Sequence, residues 1–393
     1  MSRTANQPIV VRTAQQIRDH GSSTVTEIAE TLGLSRTSVE NAMTALSESG
    51  LLVDAPVAQG RGAGRPARRF TFHSAAGHVV GIDIGIASVR VVVADLSGRI
   101  VCHRSFPGIA TQADGAAKLS TVIDDIRSTL AAAGVALSRL RAIGVSLPGI
   151  VNDAGRVITS VVIPEWSGVD IGAQLTHAFG CPVAVDNGVR LAAVAEHHLG
   201  VAQLVDDVLY LSVGNRIAMG LILGGRPRRG IHNAAGDIGR LAFRGLVTET
   251  GQITWRSADS AATVFELAHD GDPAATAELS HFVEELAHGI ATVVLTVDPA
   301  MVVIGGGLSG AHEQLLDPLR AALARHIRLP FEVPLVGARL GAEAASHGAV
   351  VHAFHRHSAA IYELDEMPVP PITPLAEAAM GDFAITGTTK TKA

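Results

Sequence analysis

Val79-Val80-Gly81-Ile82-Asp83-Ile84-Gly85 is a run of mostly apolar, β-branched residues closed by a glycine, the pattern of a buried strand that ends in a tight turn. Val89 to Ala94 continues it, followed by Ser97-Gly98 and a further run from Ile100 to Phe106. The same arrangement returns at Val208-Leu209-Tyr210-Leu211-Ser212-Val213-Gly214, with Ile217 to Leu223 and Gly224-Gly225 behind it. Two stretches that each open with strand, turn and strand predict a duplicated α/β unit with a cleft between its halves.

The bulk numbers agree with α/β layers. A chain of 393 residues exceeds one compact core and predicts two or three domains. Apolar residues make up 47% but aromatic residues only 4%, so the core must be built from Ala, Val, Ile and Leu. With 31 Lys+Arg against 37 Asp+Glu the chain is no polycation, and any contact with nucleic acid must be local. Cys102 and Cys181 are far apart, which excludes a disulfide framework and fits a reducing cytoplasm. Mean hydropathy is +0.31, yet the most apolar stretch, Gly289 to Leu308, is broken at Asp298-Pro299 and reads as helix, turn and buried strand rather than a membrane span. The amino-terminal MSRTANQP lacks the apolar core of a signal peptide.

Upstream of Val79 the texture is different. Pro8 to Gly50 predicts three short helices: Val10, Ala14 and Ile17 at helical spacing before Gly21; a capping box at Thr24-Val25-Thr26-Glu27; a turn at Gly33; and a third helix capped by Ser35 with Val39, Met43 and Leu46 on one face. Leu51-Leu52-Val53 and Phe70-Thr71-Phe72 then predict a β-hairpin. Its tip carries Arg61, Arg65, Arg68 and Arg69 with no acid among them. Caps, turn and basic tip together predict a winged helix-turn-helix. Ser35, Arg36, Thr37, Ser38 and Asn41 would meet a major groove, Arg36 suiting guanine and Asn41 adenine, while the tip arginines would meet a minor groove or phosphates. The bland counterpart is a protein-docking module with a solvated linker. Domain bounds follow as 1–75 for this head, 76–360 for a two-lobed α/β domain, and 361–393, rich in Pro, Thr and Lys, as a flexible tail.

Gly64 to Pro66, Val80 to Gly85, Gly144-Val145-Ser146-Leu147-Pro148-Gly149, Pro182-Val183-Ala184-Val185-Asp186-Asn187 and Val303-Ile304-Gly305-Gly306-Gly307 follow in an order that resembles the ROK family of repressors, open reading frames and sugar kinases. The resemblance implies an actin-like (ribonuclease H-like) duplicated sugar-kinase-type fold behind the winged helix-turn-helix. It implies a cytoplasmic, sequence-specific regulator, a repressor more often than an activator, that answers to a sugar or sugar-derived effector and acts as a homodimer or homotetramer on double-stranded DNA.

Where the kinases of that family place a Glu-Asn-Asp, with the last carboxylate as base, this chain reads Asp186-Asn187-Gly188, and a glycine cannot accept a proton. The first phosphate turn reads Gly85-Ile86-Ala87-Ser88 and the second Ser212-Val213-Gly214-Asn215-Arg216, both departing from the family pattern. Asp83 is left either as a magnesium-side carboxylate or as a turn cap. Gly305 to Gly310 fits G-x-G-x-x-G, but reads better as a tight strand-to-helix turn than as a nucleotide site. The family's zinc histidine falls on Arg240 and no cysteine follows, so neither a metal nor a cofactor is expected. The adjacent His197-His198 and the group His352, His355 and His357 read as surface positions.

By the same resemblance Pro148, Gly149, Asn187 and Asp237 would hold effector hydroxyls. Arg240 would either pair with Asp237 three residues before it or face the cleft and favour an anionic sugar. The alternatives are an ATP-dependent sugar kinase with an added DNA-binding head, and a regulator set by a protein partner.

Overall fold

The computed structural model describes residues 7–55, 68–308, 312–328, 330–364 and 367–375. Three helices come first: α1 (Ile9–His20), α2 (Val25–Leu32) and α3 (Arg36–Glu48). Their ends follow the local chemistry. Thr24 N donates to Glu27 Oε2 at 2.8 Å and Glu27 N to Thr24 Oγ1 at 3.2 Å, closing the capping box. Gly33 takes the left-handed conformation (φ 64, ψ 37) that the tight turn into α3 requires. Ser35 Oγ accepts from Ser38 N at the start of α3. Val11, Ala14, Ile17, Ile28, Val39, Met43 and Leu46 are buried between the helices. β1 (Leu52–Asp54) and β2 (Phe70–Phe72) pair antiparallel, Leu52 opposite Phe72.

The body continues with β3 (His78–Ile84), β4 (Ser88–Asp95), β5 (Ile100–Pro107), α4 (Gly115–Ala132), β6 (Leu140–Leu147), β7 (Ile150–Val151), β8 (Val157–Thr159), α5 (Ile171–Phe179), β9 (Val183–Asn187) and α6 (Gly188–Leu199). Next come β10 (Val208–Val213), β11 (Ile217–Leu223), β12 (Arg226–Pro227), α7 (Gly239–Ala242), α8 (Ala261–His269), α9 (Pro273–Val297), β13 (Met301–Gly305), α10 (His312–Ile327), β14 (Leu335–Gly337) and α11 (Ala344–Tyr362). One five-stranded sheet has the order β5-β4-β3-β6-β9 and the other β12-β11-β10-β13-β14. Numbered within each sheet, both read third, second, first, fourth, fifth. This is the duplication that the two strand-turn-strand echoes predict.

The chain divides into two compact units, 1–145 with 172–184 and 349–393, and 146–171 with 185–348. In the first, the buried Val79, Val80, Ile82 and Val91 of β3 and β4 share the core with Leu119, Val122 and Ile126 of α4. Gly144 permits β6 to meet α11, since a Cβ there would lie 1.8 Å from Ala349 O. The second unit's core is formed by Leu209, Leu211, Val302 and Ile304 of its sheet with Phe282, Leu286 and Ile290 of α9.

Gly289 to Leu308 comprises the end of α9, a left-handed residue at Asp298 (φ 52) and β13. Among the described residues no helix is long and apolar enough to cross a membrane.

The expected tail from 361 needs correction over its described part. Tyr362 is buried at the end of α11, Met367 is held by Ser358 through both its N–H (2.9 Å) and its carbonyl (2.7 Å), and Thr373 pairs with Arg99 as a parallel bridge. Residues 376–393 lie outside the described part of the chain.

Candidate functional site

Two surfaces carry the residues singled out by the sequence. The first is α3 with the hairpin. Ser35, Arg36, Thr37 and Asn41 are exposed and Ser38 half-buried, while Val39, Ala42, Met43 and Leu46 face the core. At 100° per residue the line opposite that core runs through Thr37, Asn41 and Thr44. Arg36 lies to one side of it, where its Nε donates to Glu40 Oε1 at 2.9 Å. Thr44 and Glu40 belong to this face and were missed; the helical spacing contained the signal.

The four hairpin arginines do not share one environment. Arg61 and Arg65 lie outside the described residues. Arg68 makes a two-pronged contact with Asp54 (2.6 and 3.0 Å) and lies over the ring of Phe70, 4.7 Å from its centroid. Arg69 donates to Glu27 Oε1 at 2.9 Å and to Ser22 O at 2.6 Å, and the Thr24 backbone N–H, helped by Arg69, holds the Glu27 carboxyl below its usual range. Arg68 and Arg69, expected to meet a minor groove or phosphates, thus have carboxylate partners within the head when no DNA is bound. Both brace the hairpin against carboxylates of the same head, although those pairs are exposed and weak.

The second surface lies wholly within the second unit, where β9 runs into α6. Asn187 caps α6: its Oδ1 accepts from Val189 N (3.0 Å) and Arg190 N (3.3 Å), and its Nδ2 donates to Gly149 O (2.9 Å). That bond brings Asn187 and the Pro148-Gly149 loop together, and Ser160 Oγ holds the loop through Pro148 O. Most of the asparagine's capacity serves the fold, leaving one Nδ2 hydrogen for a ligand. Gly188, at the base position, is the first residue of α6.

Beneath this cap lies an ionic network that sequence reading did not anticipate. The Asp186 and Arg190 side chains are 2% and 5% exposed and form an ion pair. Burial lowers the Arg190 pKa and Asp186 opposes that shift. Arg190 Nη2 donates to Asn233 O at 3.1 Å. Arg229 lies with Nε 3.6 Å from Asp186 Oδ2, and binds Asp153 (2.8 Å) and Val151 O (3.1 Å). Arg229 thus ties the β7–β8 turn to the acid that precedes the cap.

Asp237 and Arg240 are both exposed. Among the described residues they form no ion pair with each other, so the pairing alternative is corrected. Asp237 precedes α7, and Arg240 runs beside the 247–253 hairpin, where a Cβ on Gly251 would sit 3.1 Å from Arg240 Cγ. Arg216 grips the same hairpin at Thr250 O, and Val247 bridges Ile253. Side-chain packing and hydrogen bonds thus hold this hairpin beside Arg240, the position where the family resemblance puts a zinc histidine.

The remaining candidates are accounted for by packing. Asp83 lies opposite Arg90 in the β3–β4 register, 3.9 Å away. Gly306 is left-handed (φ 88), with no room for a Cβ beside Val213 O; Ser309 and Gly310 lie outside the described residues. His197 and His198 stack edge to face, and burial lowers the pKa of both His197 and His357.

The twin sheets and this strand-to-helix site define an actin-like sugar-kinase fold. The sequence model of the ROK family matches residues 79–244 and 240–355, and the chain belongs to that family. It is 22% identical over 351 residues to a xylose repressor from Caldicellulosiruptor bescii, with 81% of this chain and 87% of that protein covered. Among solved structures, a ROK family transcriptional regulator homologous to the E. coli MLC protein superposes with a TM-score of 0.68 at 22% identity, covering 91% of this chain and 96% of that one. A ROK hexokinase from Thermus thermophilus does so at 0.60 and 29% identity, covering 70% and 98%.

Proposed function

We propose that this chain is a sugar-responsive transcriptional repressor without kinase activity. Its head, a winged helix-turn-helix, reads an operator through α3, and a sugar-like effector binds at the Asn187–Asp237 surface. The observation that carries this reading is Gly188: the position of the family's general base is the first residue of a capped helix and bears no side chain, in a chain that also carries a head with an exposed polar helix face. A phosphoryl acceptor must lose a proton in the transition state, and neither Asn187 nor the paired, buried Asp186 is free to take it. Similarity along most of the length of a xylose repressor supports the reading and makes pentoses the first effectors to try. The head, the cytoplasmic location and a symmetric homodimer or homotetramer belong to the same proposal. An effector shifts operator affinity only by binding two states differently.

The competing reading, an ATP-dependent sugar kinase with an added head, is favoured by the similarity to the ROK hexokinase. Coupled ATP-turnover assays against pentoses and hexoses separate the two. Background rates together with retention of selected duplex DNA are expected, and robust sugar-dependent ADP release overturns the repressor reading.

A further inference from the structure

Arg18, in the last turn of α1, is buried. Besides its neighbour Asp19 (2.8 Å) it reaches two residues from the far end of the chain: Nη1 donates to Tyr362 Oη at 3.1 Å and to Pro368 O at 2.9 Å. Tyr362, which ends α11, donates in turn to Leu96 O at 2.8 Å, just after β4. Its ring lies 6.3 Å from that of Phe72 in β2 and 6.0 Å from that of Phe354. The segment that supplies Pro368 is itself fastened, at Met367 to Ser358 and at Thr373 to Gly98 and Ile100.

A guanidinium at the end of a short surface helix ordinarily reaches water. Burying one costs free energy unless acceptors replace the lost hydration, and here two of the acceptors come from more than 340 residues away. This arrangement joins the head to the body: α1 packs on α3, β2 pairs with β1 and Phe72 of β2 lies against Tyr362, so both the recognition helix and the hairpin lead back to Tyr362.

We propose that Arg18 and Tyr362 are positioning residues for DNA recognition: their hydrogen bond, with the 367–375 segment as a strap behind it, sets the angle at which α3 is presented. The DNA-binding half of this rests on the repressor reading above; the geometric half does not.

The test uses the full chain with spin labels on Glu30→Cys (α2) and Ala131→Cys (α4), both exposed positions, the native cysteines being buried. Double electron–electron resonance on the otherwise wild-type chain is expected to give one narrow distance. Tyr362→Phe keeps the ring against Phe72 and Phe354 and removes only the hydroxyl; Arg18→Ala removes the partner. Both are expected to broaden the distance distribution, and to weaken binding to duplexes selected from a random pool by the wild-type chain by about three- to tenfold, the scale of one or two hydrogen bonds. Unchanged distributions in both variants overturn the latch. Broadened distributions with unchanged DNA affinity overturn the positioning role. A wild-type chain that enriches no duplex refutes the repressor reading, while the distance measurement still decides the latch.

Discussion

Two pairs of oppositely charged residues, each four apart at the start of a helix, have opposite consequences in this molecule. Asp186 and Arg190 lie beneath the cap of α6 with side chains 2% and 5% exposed; Arg36 and Glu40 lie on the face of α3 at 70% and 48%. Water makes the difference. On the surface, solvent screens the attraction and replaces either partner cheaply, so such a pair is worth about 0.3–0.5 kcal/mol and Arg36 can exchange Glu40 for another partner, a guanine edge under the proposed function. Inside, water cannot stand in for a lost partner, so the network of Asp186, Arg190 and Arg229 is a fixed part of the scaffold. Identical spacing in the sequence therefore marks an exchangeable surface pair, on the face proposed to read DNA, in one place and a frame in the other.

The sharpest way to break this contrast is to remove the shared acid. Asp186→Asn leaves Arg190 buried without its counter-charge and Arg229 without its inner partner. A loss of about 3–5 kcal/mol in unfolding free energy is expected from urea titration. A loss below about 1 kcal/mol would show that the network relaxes into water and frames nothing.

The exposed pair predicts the reverse pattern. Arg36→Ala leaves stability within about 0.5 kcal/mol but costs about 1–3 kcal/mol of operator affinity and relaxes preference at one base pair. Competition binding against singly substituted duplexes measures both, and a uniform loss at all positions would make Arg36 a phosphate contact instead.

Between these extremes stand Asn187 and Asp237. Asn187→Ala removes a helix cap and the tether to Gly149, so about 1 kcal/mol of stability is expected to go along with any effector response. Asp237→Ala, at an exposed carboxylate with no ion-pair partner among the described residues, is expected to spare stability and operator binding and to abolish only the response. A full response in the double variant, read as sugar-dependent release of operator, would move the effector elsewhere.

How far the sequence could be read follows the range of the forces involved. The capping box of Thr24 and Glu27, the left-handed Gly33 and the cap at Ser35 are decided within four residues, and they appear where the sequence places them. Strand runs such as Val79 to Ile84 are equally local, and their repeat exposed the duplication. Arg190 and Arg229 were illegible because their partners, Asn233, Asp153 and Val151, are brought to them only by the fold. The same holds for Met367 to Leu375: a proline-rich composition resembles a tail, and the burial that contradicts it is supplied by Ser358, Gly98 and Arg18. The resemblance makes Asn187 a candidate effector contact, whereas its work as a cap is visible only once α6 begins at Gly188.

The smallest expected effect tests the reader most finely. Glu40 holds Arg36 from one turn away, and on α3 it lies nearer the outward line of Thr37, Asn41 and Thr44 than Arg36 does. Two roles are open to an acid there, and they have opposite signs. If Glu40 only restrains Arg36, Glu40→Gln releases the guanidinium and removes a negative charge facing phosphates. Operator affinity then rises by about 0.3–0.5 kcal/mol, roughly twofold, and the gain shrinks as salt is added. If Glu40 itself accepts from a cytosine amino group, as carboxylates in a major groove do, the same substitution lowers affinity and relaxes one position. The weakness of the exposed pair favours restraint, because an acid paired with Arg36 in free protein adds no base contact of its own. The expected outcome is the rise. A fall confined to duplexes with a C·G pair at one position would make Arg36 and Glu40 joint readers, and would extend the working surface of α3 by a full residue beyond the contacts named from the sequence.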